Sequence, residues 1–128
     1  VFLGGTIEAE HIDQLASQVD LLPTALSLIG IDAEHPCLGR DLTDAAQLQR
    51  PGRAILQFHQ TNLYWEEDRA VILRPGLAPS FHAIQNDRLG AATPADSILE
   101  RRALGHALWP QMSYAAGDYR LPLMADPE

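Results

Sequence analysis

Ser17 to Gly30, SQVDLLPTALSLIG, is the stretch whose reading decides the fold. It reads as a short helix. Asp20 is placed to cap the first turn by accepting from free backbone N–H groups. Pro23 lies in that first turn, where its missing N–H costs little. Gly30 supplies a left-handed stop. Between them Leu21, Leu22, Ala25, Leu26, Leu28 and Ile29 cover most of the helix circumference. Only Thr24 and Ser27, three apart on one side, break the apolar surface. A surface helix normally keeps a broad polar face. The expectation is a buried N-terminal helix, covered on more than one side and belonging to a body larger than 128 residues.

Outward from the helix, the chain changes character twice. Ile31 to Arg50 is a long irregular connection punctuated by Pro36 and Gly39, with room for one helical turn begun by Thr43 or Asp44. Pro51-Gly52 signals a turn. After it the hydrophobic period becomes strand-like. Arg53 to His59, Asn62 to Trp65, Arg69 to Arg74 and Ser80 to Gln85 read as four short strands with tight polar links, an antiparallel meander. Asn86 to Gly90 reads as a turn. Thr93-Pro94-Ala95-Asp96 reads as a helix start, with a hydroxyl cap and proline at the first helical position. That helix runs to about Trp109, is interrupted by Pro110 and resumes to Ala116. Ile98, Leu99, Ala103, Leu104, Ala107 and Leu108 are its candidate face against the meander. Upstream, Val1 to Leu3 reads as the end of a strand and Gly4-Gly5 as a turn, so the chain reads as a piece of a longer protein. The tail, LPLMADPE, reads as a loosely held end.

Composition narrows the function classes. Hydrophobic residues make up 46% and charged residues 20%, ordinary values for a globular protein. Net charge is −8, from 17 acidic and 9 basic side chains. A binder of phosphate backbones needs the opposite sign, so nucleic acid is not an expected partner. One cysteine, Cys37, excludes an internal disulfide and does not choose a compartment. No apolar run approaches the ~20 residues that cross a bilayer.

The residues with chemical potential are scattered. His11, His35, His59, His82 and His106 include no tight pair of the kind that seeds a zinc site. A metal site would need long-range convergence, with His59 and His82 on strands and His106 above them. Glu66, Glu67 and Asp68 fit a solvated hairpin link better than a cation loop. Asp20 has a cap reading and a metal-ligand reading, and the spacing to Pro23 favours the cap. Arg40 is chemically suited to a phosphate or sulfate oxygen, or to pairing with Asp41 or a neighbouring segment. Cys37 has proline between itself and His35 and no helix N-terminus nearby, which favours an idle thiol over a nucleophile. Ser17, Ser27, Ser80, Ser97 and Ser113 have no G-x-S-x-G context. No catalytic, cofactor-binding or metal residue is assigned.

The pattern S-x-V-D-L-x-P-T-x-L-x-L-x-G-I from Ser17, followed by G-R-D-L at Gly39 to Leu42, resembles the C-terminal part of a sulfatase-type catalytic domain. It is most similar to the membrane-anchored lipoteichoic acid synthase and phosphoglycerol transferase branch of the alkaline phosphatase superfamily. A looser resemblance continues through Gly52 to Pro75. It implies residues 1–50 at the end of a large α/β sheet region, and 51–128 as a small antiparallel sheet plus helix. The excised chain is then α+β, the end of a larger α/β domain.

In that family a divalent metal (Mn, Mg or Ca) activates a threonine, serine or modified-cysteine nucleophile against a phosphate or sulfate ester. The nucleophile and an Asp-His metal pair lie upstream of the region resembled, and neither occurs in this chain. The resemblance therefore implies a non-catalytic C-terminal portion whose partner is the missing N-terminal catalytic portion. The parent would work on the extracytoplasmic, periplasmic side of a bacterial inner membrane. A homodimer through the face left open is a further expectation. The competing class is a stand-alone α+β binding or interaction module.

Overall fold

The computed structural model describes residues 11–32 and 34–118. The strand end expected at Val1 to Leu3, the Gly4-Gly5 turn and the C-terminal tail lie outside the described residues. In chain order come a 3-10 turn, Gln18–Asp20, then α1, Leu21–Leu28, and α2, Ala45–Leu48. The strands follow: β1, Arg53–Phe58; β2, Thr61–Glu66; β3, Arg69–Leu73; β4, Ser80–Gln85; and β5, Arg88–Ala92. The last element is α3, Ser97–Ala116. The strands form one antiparallel sheet in sequence order, so the architecture is α+β.

The sheet has five strands, not the expected four. The added strand is β5, where the sequence read as a turn up to Gly90. Its residues, RLGAA, carry almost no β-branched or aromatic signal. What makes it a strand is the preceding two-residue turn, Asn86 and Asp87, both left-handed at φ 50° and 58°. That geometry matches the natural twist of paired strands. Gly90 then passes 3.2 Å from the Ala83 carbonyl oxygen, measured from the position a Cβ would take. A side chain there would press on β4 at its irregular point between His82 and Ile84.

Register divides the sheet into two faces. Ile55, Tyr64, Val71 and Phe81 stand in one cross-strand row. Tyr64, Val71 and Phe81 meet Leu99 and Ala103 of α3, and these five residues are the buried core. The opposite face carries the row Leu56, Leu63 and Ile72. Phe58, on the same side as Leu56, is 75% exposed.

Helix α3 begins at Asp96, not Thr93. The Asp96 carboxylate accepts from the N–H groups of Ile98 and Leu99, both at 3.0 Å. A carboxylate is a strong cap because it also meets the positive end of the helix. Its pKa falls below the usual carboxylate range, first through the Leu99 N–H and further through Ile98 and Arg69. The helix passes through Pro110 unbroken. Pro110 removes the N–H that would have met the His106 carbonyl, and the helix tolerates that loss in its C-terminal half. Gly117, at φ 80°, ends it.

Helix α1 ends as its glycine predicts. Gly30 adopts φ 74°, its N–H donates to the Ser27 carbonyl, and the Ile31 N–H reaches back to the Leu26 carbonyl at 2.9 Å. The expectation that α1 is covered on more than one side needs correction for this chain. Only Pro23 and Thr24 are buried. Leu21 and Leu22 are about half exposed and Ile29 is 68% exposed. The covered part is the first turn at Pro23 and Thr24, and Thr24 is the residue that ties the helix down. Its hydroxyl bonds the carbonyls of Asp20 and Arg40 and accepts from the Leu42 N–H.

Candidate functional site

The helix cap expected of Asp20 is replaced by a stronger role. Asp20 directly precedes α1, but its side chain makes no cap bond to that helix. It is fully buried. One carboxylate oxygen accepts from the Ser17 N–H at 2.9 Å. The other accepts from the Arg40 N–H at 2.8 Å and from Arg53 Nη1 at 3.2 Å. The Arg40 guanidinium closes the cluster, 3.5 Å from the first oxygen. Arg40 and Arg53 are 6% and 7% exposed. Buried ions persist only when paired and hydrogen-bonded. Here one carboxylate serves two guanidinium groups, and three further bonds run from these guanidiniums to backbone carbonyls. Arg40 donates to Leu15 and Pro51, and Arg53 donates to Leu38 at 2.7 Å.

This cluster joins the irregular N-terminal third to the sheet. Arg53 opens β1, and Ser17 Oγ accepts from the Ile55 N–H farther along the same edge strand. Arg40 sits in the loop that Gly39 lets close. A Cβ on Gly39 would lie 1.8 Å from the Val19 carbonyl oxygen. Only a hydrogen fits where loop and 3-10 turn touch, and the next N–H along is the one that Asp20 holds. With both Asp20 oxygens and both guanidinium groups engaged inside the protein, none of the three is presented to a metal ion or a phosphate. The chemistry of the cluster is cohesion.

A second buried acid lies one strand away. Glu66, the cross-strand partner of Arg53, is 4% exposed. It accepts from the Tyr64 hydroxyl at 2.9 Å and from Arg102 of α3. Burial, then the hydrogen bond and charge of Glu66, push the Tyr64 phenol up to about 12. Glu66 was expected as part of a solvated link; it points inward on the α3 face, while Glu67 and Asp68 stay at the surface around Arg69. Arg69 also reaches Asp96 at 2.5 Å, so the β2–β3 turn is tied to the start of α3.

His106 sits between the two clusters. Its ring stacks on Tyr64 with centroids 5.3 Å apart, and its Nε2 accepts from Arg53 Nε at 3.4 Å. Burial, and then the Arg53 charge, lower its pKa. It is therefore neutral, with the proton on Nδ1. A histidine whose native pKa is lowered takes up fewer protons folded than unfolded. Stability is full above the ordinary value of about 6.5 and falls as pH drops through it. We expect the melting temperature to fall between about pH 7.5 and 5.5, and the His106→Gln variant to show a shallower slope. Equal slopes in thermal melts of the two proteins would assign the effect to other groups.

The remaining candidates do not converge. His82 shares the opposite sheet face with Ala70 and contacts the Gly90 carbonyl. His59 lies in the β1–β2 turn, edge-on to Phe58. His11 pairs with Asp13 at the surface. His35 lines a separate cleft beside the end of α1. Cys37 Sγ bonds the Val19 carbonyl and accepts from the Gly39 N–H. Among the described residues, no three His, Cys, Asp or Glu side chains gather in a way that would hold a metal ion. No described helix is long and apolar enough to cross a membrane.

No family model matches the chain. It is similar to a crystal structure of a protein in the alkaline phosphatase superfamily from Vibrio parahaemolyticus, with 30% sequence identity and a TM-score of 0.80. The match covers 94% of this chain but only 29% of that one. The sheet, its covering helix and the buried joint thus form an α+β unit that matches a portion of an alkaline phosphatase superfamily domain.

Proposed function

We propose that this chain is the non-catalytic C-terminal portion of a metal-dependent sulfatase or phosphoglycerol transferase-like enzyme. The observation that carries the reading is the likeness of almost the whole chain to less than a third of a longer alkaline phosphatase superfamily protein. The DLLPT-LSLIGI and GRDL segments support the finer assignment. In this reading the buried joint holds α1 against the small sheet, and the exposed Leu21, Leu22 and Ile29 meet the N-terminal catalytic portion. The parent enzyme acts outside the cytoplasmic membrane on phosphate or sulfate esters, with its nucleophile and divalent metal in that N-terminal portion.

The test compares the 128-residue chain with the complete gene product on p-nitrophenyl phosphate and p-nitrophenyl sulfate with Mn²⁺. The complete product turns over one of them and loses activity in EDTA; the chain alone is inert. Turnover by the chain alone would overturn the non-catalytic assignment, and an inert complete product would overturn the enzyme assignment. In isolation the chain pairs through its open apolar surface with a second copy. Sedimentation should show a concentration-dependent dimer that Leu22→Asp weakens; a strict monomer at high concentration would contradict it.

A further inference from the structure

Strand β1 is outermost on its side of the sheet, so one line of its backbone groups faces away from β2. The N–H and C=O of Ile55 lie on that line, because both bond the Ser17 hydroxyl instead of a neighbouring strand. In an antiparallel strand the outward-facing groups recur at every second residue. The next outward pair therefore belongs to Gln57. Among the described residues neither its N–H nor its C=O has a partner; only its side-chain amide is engaged, with the His59 carbonyl.

The open edge at Gln57 is bordered by apolar surface on both faces of the sheet. On the α3 face Gln57 lines a cleft of about 510 Å³, whose other walls include Trp109 and Pro110 of α3 and Pro36 and Leu38 of the facing loop. Among the described residues that line it, none is an acid, a lysine or an arginine. On the opposite face the residues flanking Gln57 are Leu56 and Phe58, 51% and 75% exposed. Edge strands are ordinarily guarded by a lysine, a proline, a bulge or a covering segment. Ser17 covers β1 at Ile55, but Leu56 to Phe58 carry none of these guards.

We propose that this end of β1 docks an extended, uncharged peptide segment of a partner protein, which adds a sixth strand to the sheet. Run antiparallel, one residue of the segment exchanges both main-chain hydrogen bonds with Gln57. Its side chain falls on the α3 face and enters the cleft beside Trp109 and Pro110. Its two neighbours fall on the other face, beside Leu56 and Phe58, because side chains alternate along a strand. An acidic segment is disfavoured by the net charge of −8 and by walls that offer it no cation. A helix or a lipid surface would leave the Gln57 backbone groups unmet. The inference does not depend on the esterase reading, and it holds or fails whether or not a parent enzyme turns over an ester.

The experiment is a ¹H–¹⁵N NMR titration of the 128-residue chain with the N-acetylated, C-amidated peptide Thr-Val-Leu-Val-Thr. Two contrasts accompany it: the same peptide N-methylated at its leucine, which cannot donate to Gln57, and one with aspartate in place of leucine. The first peptide should bind with a Kd on the order of 100 μM to 1 mM. Saturable shifts are expected at the Gln57 amide, at its neighbours Leu56 and Phe58, and at the Trp109 indole. Each contrast peptide should bind at least about tenfold more weakly, roughly the effect of one lost hydrogen bond to a backbone that stays unpaired. Trp109→Ala and Phe58→Ser should each weaken binding about fivefold or more. Both side chains lie outside the buried core, and Phe58 is mostly exposed, so the chain keeps its fold in these variants. No saturable shift at Gln57 in the folded chain, or equal binding of the N-methylated or aspartate peptide, would overturn the proposal. Shifts of the same amides with protein concentration alone would assign this edge to a second copy of the chain and would overturn it as well.

Discussion

Asp20→Ala should leave the chain largely unfolded at room temperature. The substitution strips one carboxylate from two guanidinium groups that are themselves buried, and it frees the N–H groups of Ser17 and Arg40. Breaking a buried pair by removing one partner costs about 3–5 kcal/mol, because an uncompensated charge stays behind. A domain has only about 5–15 kcal/mol to lose. Here two charges stay behind, so the upper end applies. Asp20→Asn keeps the shape and some acceptor capacity, and is expected to be damaging but less so. The pairing account makes a sharper claim through a second change. Asp20→Ala combined with Arg53→Met removes one stranded cation, and should recover part of the loss in urea unfolding. A double variant as unstable as the sum of its parts would show that the charges are not what matters. An Asp20→Ala chain with a wild-type midpoint would show that the joint does not hold the fold.

Gly39→Ala should be nearly as severe, for a steric reason. The added carbon would fall 1.8 Å from the Val19 carbonyl oxygen, 2.6 Å from its carbon and 2.9 Å from Pro23 Cγ. Two of those three atoms are backbone and cannot rotate away. The loop must back off from the 3-10 turn, and the Arg40 N–H leaves Asp20 as it does so. We expect a loss above about 3 kcal/mol, in the tail reserved for core clashes and broken buried networks. Gly105→Ala is the matched control. Nothing lies within 4 Å of its Cβ position, and it sits inside α3. There alanine should stabilise by about 0.8–1 kcal/mol, the ordinary helix preference over glycine. If both alanines moved the urea midpoint alike, the close approach at Gly39 would be unimportant.

Local signals in the chain were strong where a backbone constraint and a hydrophobic period agreed. Gly30 ended α1 at the expected residue, because a left-handed stop needs no distant partner. The four strongest strands lie where alternation and turn residues put them. Strand β5 was illegible because alanine and glycine carry no period, and its pairing depends on β4 being there first. The start of α3 lies three residues beyond Thr93, because the Thr93 N–H pairs with the Phe81 carbonyl of β4 while Asp96 accepts from the first helical N–H groups and pairs with Arg69. The α1 surface was legible as apolar, but which of its sides this chain covers was not. Thr24 decides that through bonds to the Arg40 carbonyl and the Leu42 N–H, 16 and 18 residues away.

By itself the sequence determined the kinds of elements and their order, because capping, turn chemistry and hydrophobic period act between near neighbours. It also carried the likeness to the alkaline phosphatase superfamily, through short motifs that need no coordinates to read. Only the tertiary structure decided what Asp20, Arg40, Arg53 and His106 are for. The contacts that join these four residues to one another span 20 to 53 positions along the chain. Charge pairing and burial depend on distance in space, and folding sets that distance.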